Sequence, residues 1–94
     1  MNVVVEFEAE LRTLAGTEQR SVAMSTTATV LSTLQAAVQE SDDALRSRIF
    51  ADDGQLRSSL LIFVNDQPLP AGTGAATELA DGDHLLLLPP ISGG

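Results

Sequence analysis

A chain of 94 residues with 44% hydrophobic side chains has room for one core and no second domain. Thirteen acidic against five basic residues leave a net charge of −8, the wrong sign for neutralising nucleic-acid phosphates or an anionic membrane. Cysteine, tryptophan and tyrosine are absent and all five basic residues are arginines, which excludes disulfides, thiolate metal sites, cysteine nucleophiles and lysine chemistry; three phenylalanines alone do not line a large aromatic cofactor pocket.

Val3, Val5, Phe7, Ala9 and Leu11 alternate with Val4, Glu6, Glu8 and Glu10, a period of two that predicts a half-buried strand with one oily and one acidic face. The stretch Met1 to Val5 is short, has no basic leader and runs into these glutamates, so it does not read as a signal peptide. Ala15-Gly16-Thr17 predicts a turn, and Ser21 to Met24 a second strand, making residues 2 to 24 a hairpin. Ser25, Thr26 and Thr27 supply capping hydroxyls for a helix whose apolar stripe is Val30, Leu31, Leu34, Ala37 and Val38. Asp42 and Asp43 cap a second short helical segment carrying Leu45, Ile49 and Phe50, closed by the loop Asp52-Asp53-Gly54.

Leu60 to Val64 is too apolar for a strand with a wet face and predicts a strand near the middle of the sheet. It is also the longest apolar run, far below the roughly 20 residues of a membrane span, so a soluble cytoplasmic protein is expected. Asn65-Asp66 begins a turn, and Pro68 to Thr77 is irregular with one short edge strand at most. Asp81-Gly82-Asp83 turns into a last strand, Leu85 to Leu88, stopped by Pro89-Pro90. The order strand, strand, helix, strand, strand is that of an α+β sheet with one main helix on one face.

Beyond the last strand, Ile91-Ser92-Gly93-Gly94 is not required by the core. From Pro90 to Gly94, at about 3.3 Å per residue, the tail spans roughly 16 Å and has no β-carbon at its last two positions, so it fits a narrow channel. A frayed end is the competing reading. Other motifs carry less. Gly72 to Thr77 lacks the last position of a dinucleotide fingerprint and the helix that should follow. His84, beside Asp83, has no converging ligands and is expected to be a solvated turn residue. Asp52-Asp53-Gly54 lacks the spaced acids of a calcium loop, the stripe Glu6, Glu8, Glu10 is expected to be a wet sheet face ahead of a docking surface, and no Gly-x-Ser-x-Gly occurs.

Three segments, Phe7 to Gly16, Leu79 to Asp83 and Leu87 to Gly94, together with Val64-Asn65-Asp66, resemble the MoaD/ThiS sulfur carriers, which are ubiquitin-like β-grasp proteins. The ending Pro89-Pro90-Ile91-Ser92-Gly93-Gly94 is the most specific part of the likeness. The resemblance implies a β-grasp domain over 1–90, with a mixed sheet of four to five strands, one main helix and a short second helix, and a flexible diglycine tail over 91–94. It implies that an ATP-dependent adenylating enzyme of the MoeB/ThiF type activates the Gly94 carboxylate, which sulfur then converts to a thiocarboxylate. Gly93 permits passage, and Leu86, Leu88, Pro89, Pro90, Ile91 and Ser92 meet the partners. No bound cofactor, metal or catalytic side chain is implied; ATP belongs to the activating partner.

The double proline resembles the small subunit of molybdopterin synthase, which makes the large subunit of that enzyme the favoured sulfur acceptor. Length, Asp52-Asp53-Gly54 and Val64-Asn65-Asp66 also resemble carriers of cysteine biosynthesis, with a cysteine-synthase-like acceptor, and archaeal modifiers. Glu8 and Leu88 depart from the molybdopterin pattern, which favours an apolar and an aromatic residue there. A protein modifier conjugated through Gly94 to lysines, and a non-covalent interaction domain, stand as alternatives.

Overall fold

The computed structural model describes residues 1–39, 43–70 and 74–89. The elements run β1 (Asn2–Phe7), α1 (Glu10–Ala15), β2 (Gln19–Ala23), α2 (Val30–Ala37), α3 (Asp43–Ile49), β3 (Leu61–Val64), β4 (Gln67–Leu69) and β5 (His84–Leu88). The strands form one mixed sheet in the order β2-β1-β5-β3-β4. β1 pairs antiparallel with β2 and parallel with β5, while β3 pairs antiparallel with both β5 and β4. First and last strands thus lie side by side in the centre, the arrangement the β-grasp resemblance implies.

One face of this sheet is dry. Val3, Val5 and Phe7 of β1, Ile62 of β3, and Leu85 and Leu87 of β5 are buried against Val30, Leu34, Ala37 and Val38 from α2 and its end and Leu45 and Ile49 of α3. Alternation along the strands puts Val4, Glu6, Phe63, Leu86 and Leu88 on the opposite face.

The period-two pattern of the N-terminus holds only to Phe7. Glu8 donates its N–H to the Leu87 carbonyl, Ala9 then turns with φ 53°, and Leu11 and Arg12 close helical turns onto Glu8 and Ala9. Leu11 is buried either way, on a helix instead of a strand. The hairpin expected over 2 to 24 therefore pairs as foreseen but carries α1 in its connection, and Gly16 ends that helix at φ 75°.

The cap of α2 is Thr29, not the hydroxyls at 25 to 27. Its Oγ1 accepts the Ser32 N–H at 3.2 Å, and Ser32 Oγ accepts the Thr29 N–H at 2.9 Å, a reciprocal capping box. Ala28 is buried, so the helix begins only after the chain has entered the core. At the other end, Arg20 donates to the carbonyls of Ala37 and Ala15, and Arg46 to those of Val38 and Gln39, satisfying orphan acceptors of helix ends. Asp43 opens α3 as expected; Asp42 lies outside the described residues.

β3 lies between β5 and β4, and the centre of the sheet belongs to β5. Nor is β3 dry on both faces, since Leu61 is 41% exposed. Its turn, Asn65-Asp66, has φ 48° and 71°, the paired positive values of a tight hairpin into β4 at the sheet edge.

Candidate functional site

The strand that leads to the tail is built with two faces. Leu85 and Leu87 are fully buried, while Leu86 and Leu88 are half-buried on the outer face. Leu86 stands level with Glu6 on one side and Phe63 on the other, and Leu88 stands level with Leu61. Phe63 is in turn level with the exposed Pro68 of the edge strand. The result is an apolar strip of Leu61, Phe63, Leu86 and Leu88 across two strands, continuous with the half-buried Pro89. Contiguous exposed apolar surface of this kind is where proteins dock. Of the residues predicted to meet partners, Leu86, Leu88 and Pro89 fall here; Pro90, Ile91, Ser92, Gly93 and Gly94 lie outside the described residues.

Leu61 and Phe63 were not foreseen as part of the strip. The signal was present in the alternation of Leu60 to Val64, where buried Leu60 and Ile62 bracket Leu61, but facing requires the β3–β5 register to be known.

The strip has an acidic border. Glu6 and Glu8 share one side of the chain two residues apart, and their carboxyl groups share a hydrogen bond that holds Glu6 below its ordinary pKa and raises Glu8 above it. His84 Nε2 lies 2.9 Å from Glu6 Oε1, and this hydrogen bond pulls Glu6 the same way. His84 thus begins β5 and is not a free turn residue. Glu10, expected on the same stripe, belongs instead to α1 and faces Arg48.

The start of β5 is pinned by side chains of the preceding turn. Asp81 Oδ1 accepts the Asn2 N–H at 2.7 Å, and Asp83 Oδ2 accepts the Ala80 N–H at 2.8 Å. Asn65 donates to Asp83 Oδ1 at 2.9 Å and accepts the His84 N–H at 3.0 Å. Asn65, Asp81 and Asp83 therefore fix where the last strand begins, and with it the register that turns Leu86 and Leu88 outward.

The remaining motifs have local explanations. Asp53 Oδ1 accepts the Gln55 N–H, with Gly54 at φ 82°, a turn after α3. In Gly72 to Thr77, the first two residues lie outside the described ones, and Thr77 N–H closes a turn on the Gly74 carbonyl. Among the described residues no group of three His, Cys, Asp or Glu side chains could hold a metal, and no helix is long and apolar enough to cross a membrane. A groove of about 470 Å³ between β2 and α2 is lined by Arg20, Ser21, Val22, Ala23, Ala36, Ala37 and Gln39 and includes none of the leucine strip.

Comparison with known proteins gives one answer. Residues 5–94 match the ThiS family. Small archaeal modifier protein 1 of Haloferax volcanii is 41% identical over 86 residues, covering 92% of this chain and 93% of that protein. Its crystal structure superposes with a TM-score of 0.86 at 34% identity over 100% of both chains. Sulfur carrier protein CysO of Mycobacterium tuberculosis is 35% identical over 96 residues, covering 100% of both. The Amycolatopsis orientalis BexX/CysO complex contains a chain with a TM-score of 0.78 at 27% identity, covering 98% of this chain and 99% of that one.

Proposed function

The chain belongs to the ThiS family of ubiquitin-like sulfur carriers and modifiers, and on that premise we propose that it carries sulfur as a thiocarboxylate on Gly94. The observation that carries this reading is the two-faced β5. Its buried leucines anchor the centre of the sheet, its outward leucines form a docking strip, and Pro89 leads from that strip towards Gly93-Gly94. A partner gripping the strip holds the body while the tail is inserted into its active site.

A carboxylate is a poor electrophile. The adenylating enzyme joins the Gly94 carboxylate to the α-phosphate of ATP and releases pyrophosphate; a sulfur nucleophile then displaces AMP from the acyl carbon, leaving the thiocarboxylate. This chain contributes the acyl group, passage without β-carbons at Gly93 and Gly94, and the surface that positions both. The thiocarboxylate delivers its sulfur to a synthase. Both acceptors expected from the sequence, a molybdopterin-synthase large subunit and a cysteine-synthase-like enzyme, are tested by supplying each with the thiocarboxylated protein.

The 41% identity to a protein named as a modifier supports a second use of the same activated carboxyl, transfer to a lysine of another protein. One experiment covers both. With a MoeB/ThiF-type enzyme, wild-type protein supports ATP–pyrophosphate exchange and a chain lacking Gly94 does not. Sulfide then yields thiocarboxylate, and adducts that survive thiol treatment in cells mark conjugation. Absence of exchange with wild-type protein contradicts both uses.

A further inference from the structure

Two of the five arginines, Arg20 and Arg46, are occupied with helix-end carbonyls. A third, Arg12, pairs with Glu8 at 3.2 Å. Arg48 and Arg57 meet elsewhere, in a groove of about 340 Å³ lined by Glu10, Ser47, Arg48, Arg57, Ser59 and Pro89. This is a basic feature on a chain of net charge −8, and it adjoins the last described residue before the tail.

The geometry of Arg57 is fixed from both sides. Leu56 and Leu60 are buried, Arg57 N–H donates to the Ile49 carbonyl at 2.9 Å, and the Arg57 carbonyl accepts from Leu60 N–H at 3.1 Å. Its Nε donates to the Ser47 carbonyl, which leaves the end-on edge of the guanidinium, Nη1 and Nη2, as a two-pronged donor. Among the described residues no carboxylate lies within ion-pair distance of Arg57. Arg48, by contrast, already pairs with Glu10.

We infer that this groove receives a carboxylate side chain of the adenylating enzyme, presented at the mouth of the channel that takes the tail. The inference rests on the sulfur-carrier reading and adds a polar anchor to the apolar strip. Three features select this occupant. The end-on fork of Arg57 matches the two oxygens of a carboxylate. Glu10 in the groove wall repels a doubly charged phosphate more than a single carboxylate, and the overall charge repels free anions in solution. The groove touches Pro89, so an enzyme that takes in the tail also meets the groove, and one ion pair there sets the rotation of the body about the tail.

The test uses the full chain and the adenylating enzyme that supports exchange with wild-type protein. Arg57→Glu and Arg57→Gln are compared with wild type for kcat and KM in ATP–pyrophosphate exchange over a range of sodium chloride concentrations. Arg57→Gln removes the charge while retaining a donor for the Ser47 carbonyl. Arg57→Gln is expected to keep kcat and the wild-type melting temperature; Arg57→Glu is expected to keep kcat and to melt somewhat lower, because it loses the hydrogen bond to the Ser47 carbonyl. KM is expected to rise about tenfold or more for Arg57→Glu and less for Arg57→Gln, with a shallower salt dependence in both.

Equal KM and equal salt dependence across the three proteins overturn the inference and leave the sulfur-carrier reading intact. Failure of wild-type protein itself overturns both. Titration of wild-type protein with inorganic phosphate at constant ionic strength, read on the Arg57 side-chain resonances, separates the remaining source: saturable binding makes the groove a small-anion site and contradicts the docking assignment.

Discussion

Leu86 and Leu87 are chemically identical neighbours with opposite surroundings, which makes them a sharp pair to perturb. Leu87 is fully buried, against β1 at Phe7 and β3 at Ile62. Truncation to alanine there removes buried methyls and leaves a cavity, a cost of about 3–4 kcal/mol. For a domain of this size each kcal/mol moves the melting temperature by roughly 5 °C, so Leu87→Ala is expected to melt about 15–20 °C lower. Leu86 is half-buried on the outer face, and its truncation costs about 1 kcal/mol, or roughly 5 °C. Far-UV circular dichroism is the assay, because the chain has no tryptophan or tyrosine for fluorescence. Exchange kinetics with the adenylating enzyme, measured well below both melting points, should show the reverse ranking: a raised KM for Leu86→Ala and a near-normal one for Leu87→Ala. Equal destabilisation, or a functional loss confined to Leu87→Ala, would refute the assignment of one leucine to the core and the other to the docking strip.

Three further outcomes follow from local structure. Thr29→Ala removes the capping box of α2 and is expected to cost about 1 kcal/mol in denaturant unfolding, whereas Ser25→Ala, Thr26→Ala and Thr27→Ala should each cost far less. Thr33 is fully buried with an Oγ1 that has no hydrogen-bond partner among the described residues, so the near-isosteric Thr33→Val is expected to leave stability unchanged or raise it by about 1 kcal/mol; a loss above that would reveal a partner for the hydroxyl. Glu6, held low, contributes stability that is lost as pH falls through its folded pKa, and Glu8, held high, contributes stability that is lost as pH rises through its own, so the two oppose one another. Carboxyl-carbon NMR titration should therefore give a Glu6 midpoint below that of Glu8, and Glu8→Ala should move Glu6 upward; an unmoved midpoint would disprove the shared hydrogen bond.

Much of the fold was legible in local pattern because the core is periodic. Val3, Val5 and Phe7 alternate, the stripe of α2 recurs at three and four, and Asp81-Gly82-Asp83 marks the approach to β5. The misreadings came where two periods agree by coincidence or where a face is decided far away in sequence. Leu11 fits both an extended strand and the first turn of α1, and only the positive φ of Ala9 separates them. Leu60 to Val64 looks dry throughout because its outer residues complete the outward apolar strip, and apolar residues on such a strip are indistinguishable in composition from those of a core. Leu86 and Leu88 could be read from parity within one strand, but the groove at Arg57 draws on residues 10, 47, 48, 57, 59 and 89, a convergence that no local signal announces.

The central claim is that covalent chemistry takes place at Gly94. Trypsin cuts after arginine, and the last arginine is Arg57, so the tail is released within a single peptide, residues 58–94. Both methionines, Met1 and Met24, lie outside that peptide, so their oxidation, which also adds about 16 Da, cannot imitate replacement of oxygen by sulfur within it. After incubation with the adenylating enzyme, ATP and sulfide, the 58–94 peptide is expected to gain about 16 Da, with fragmentation placing the gain on Gly94. An unshifted peptide from protein that has turned over ATP, or a gain placed upstream of Gly93, would contradict the account.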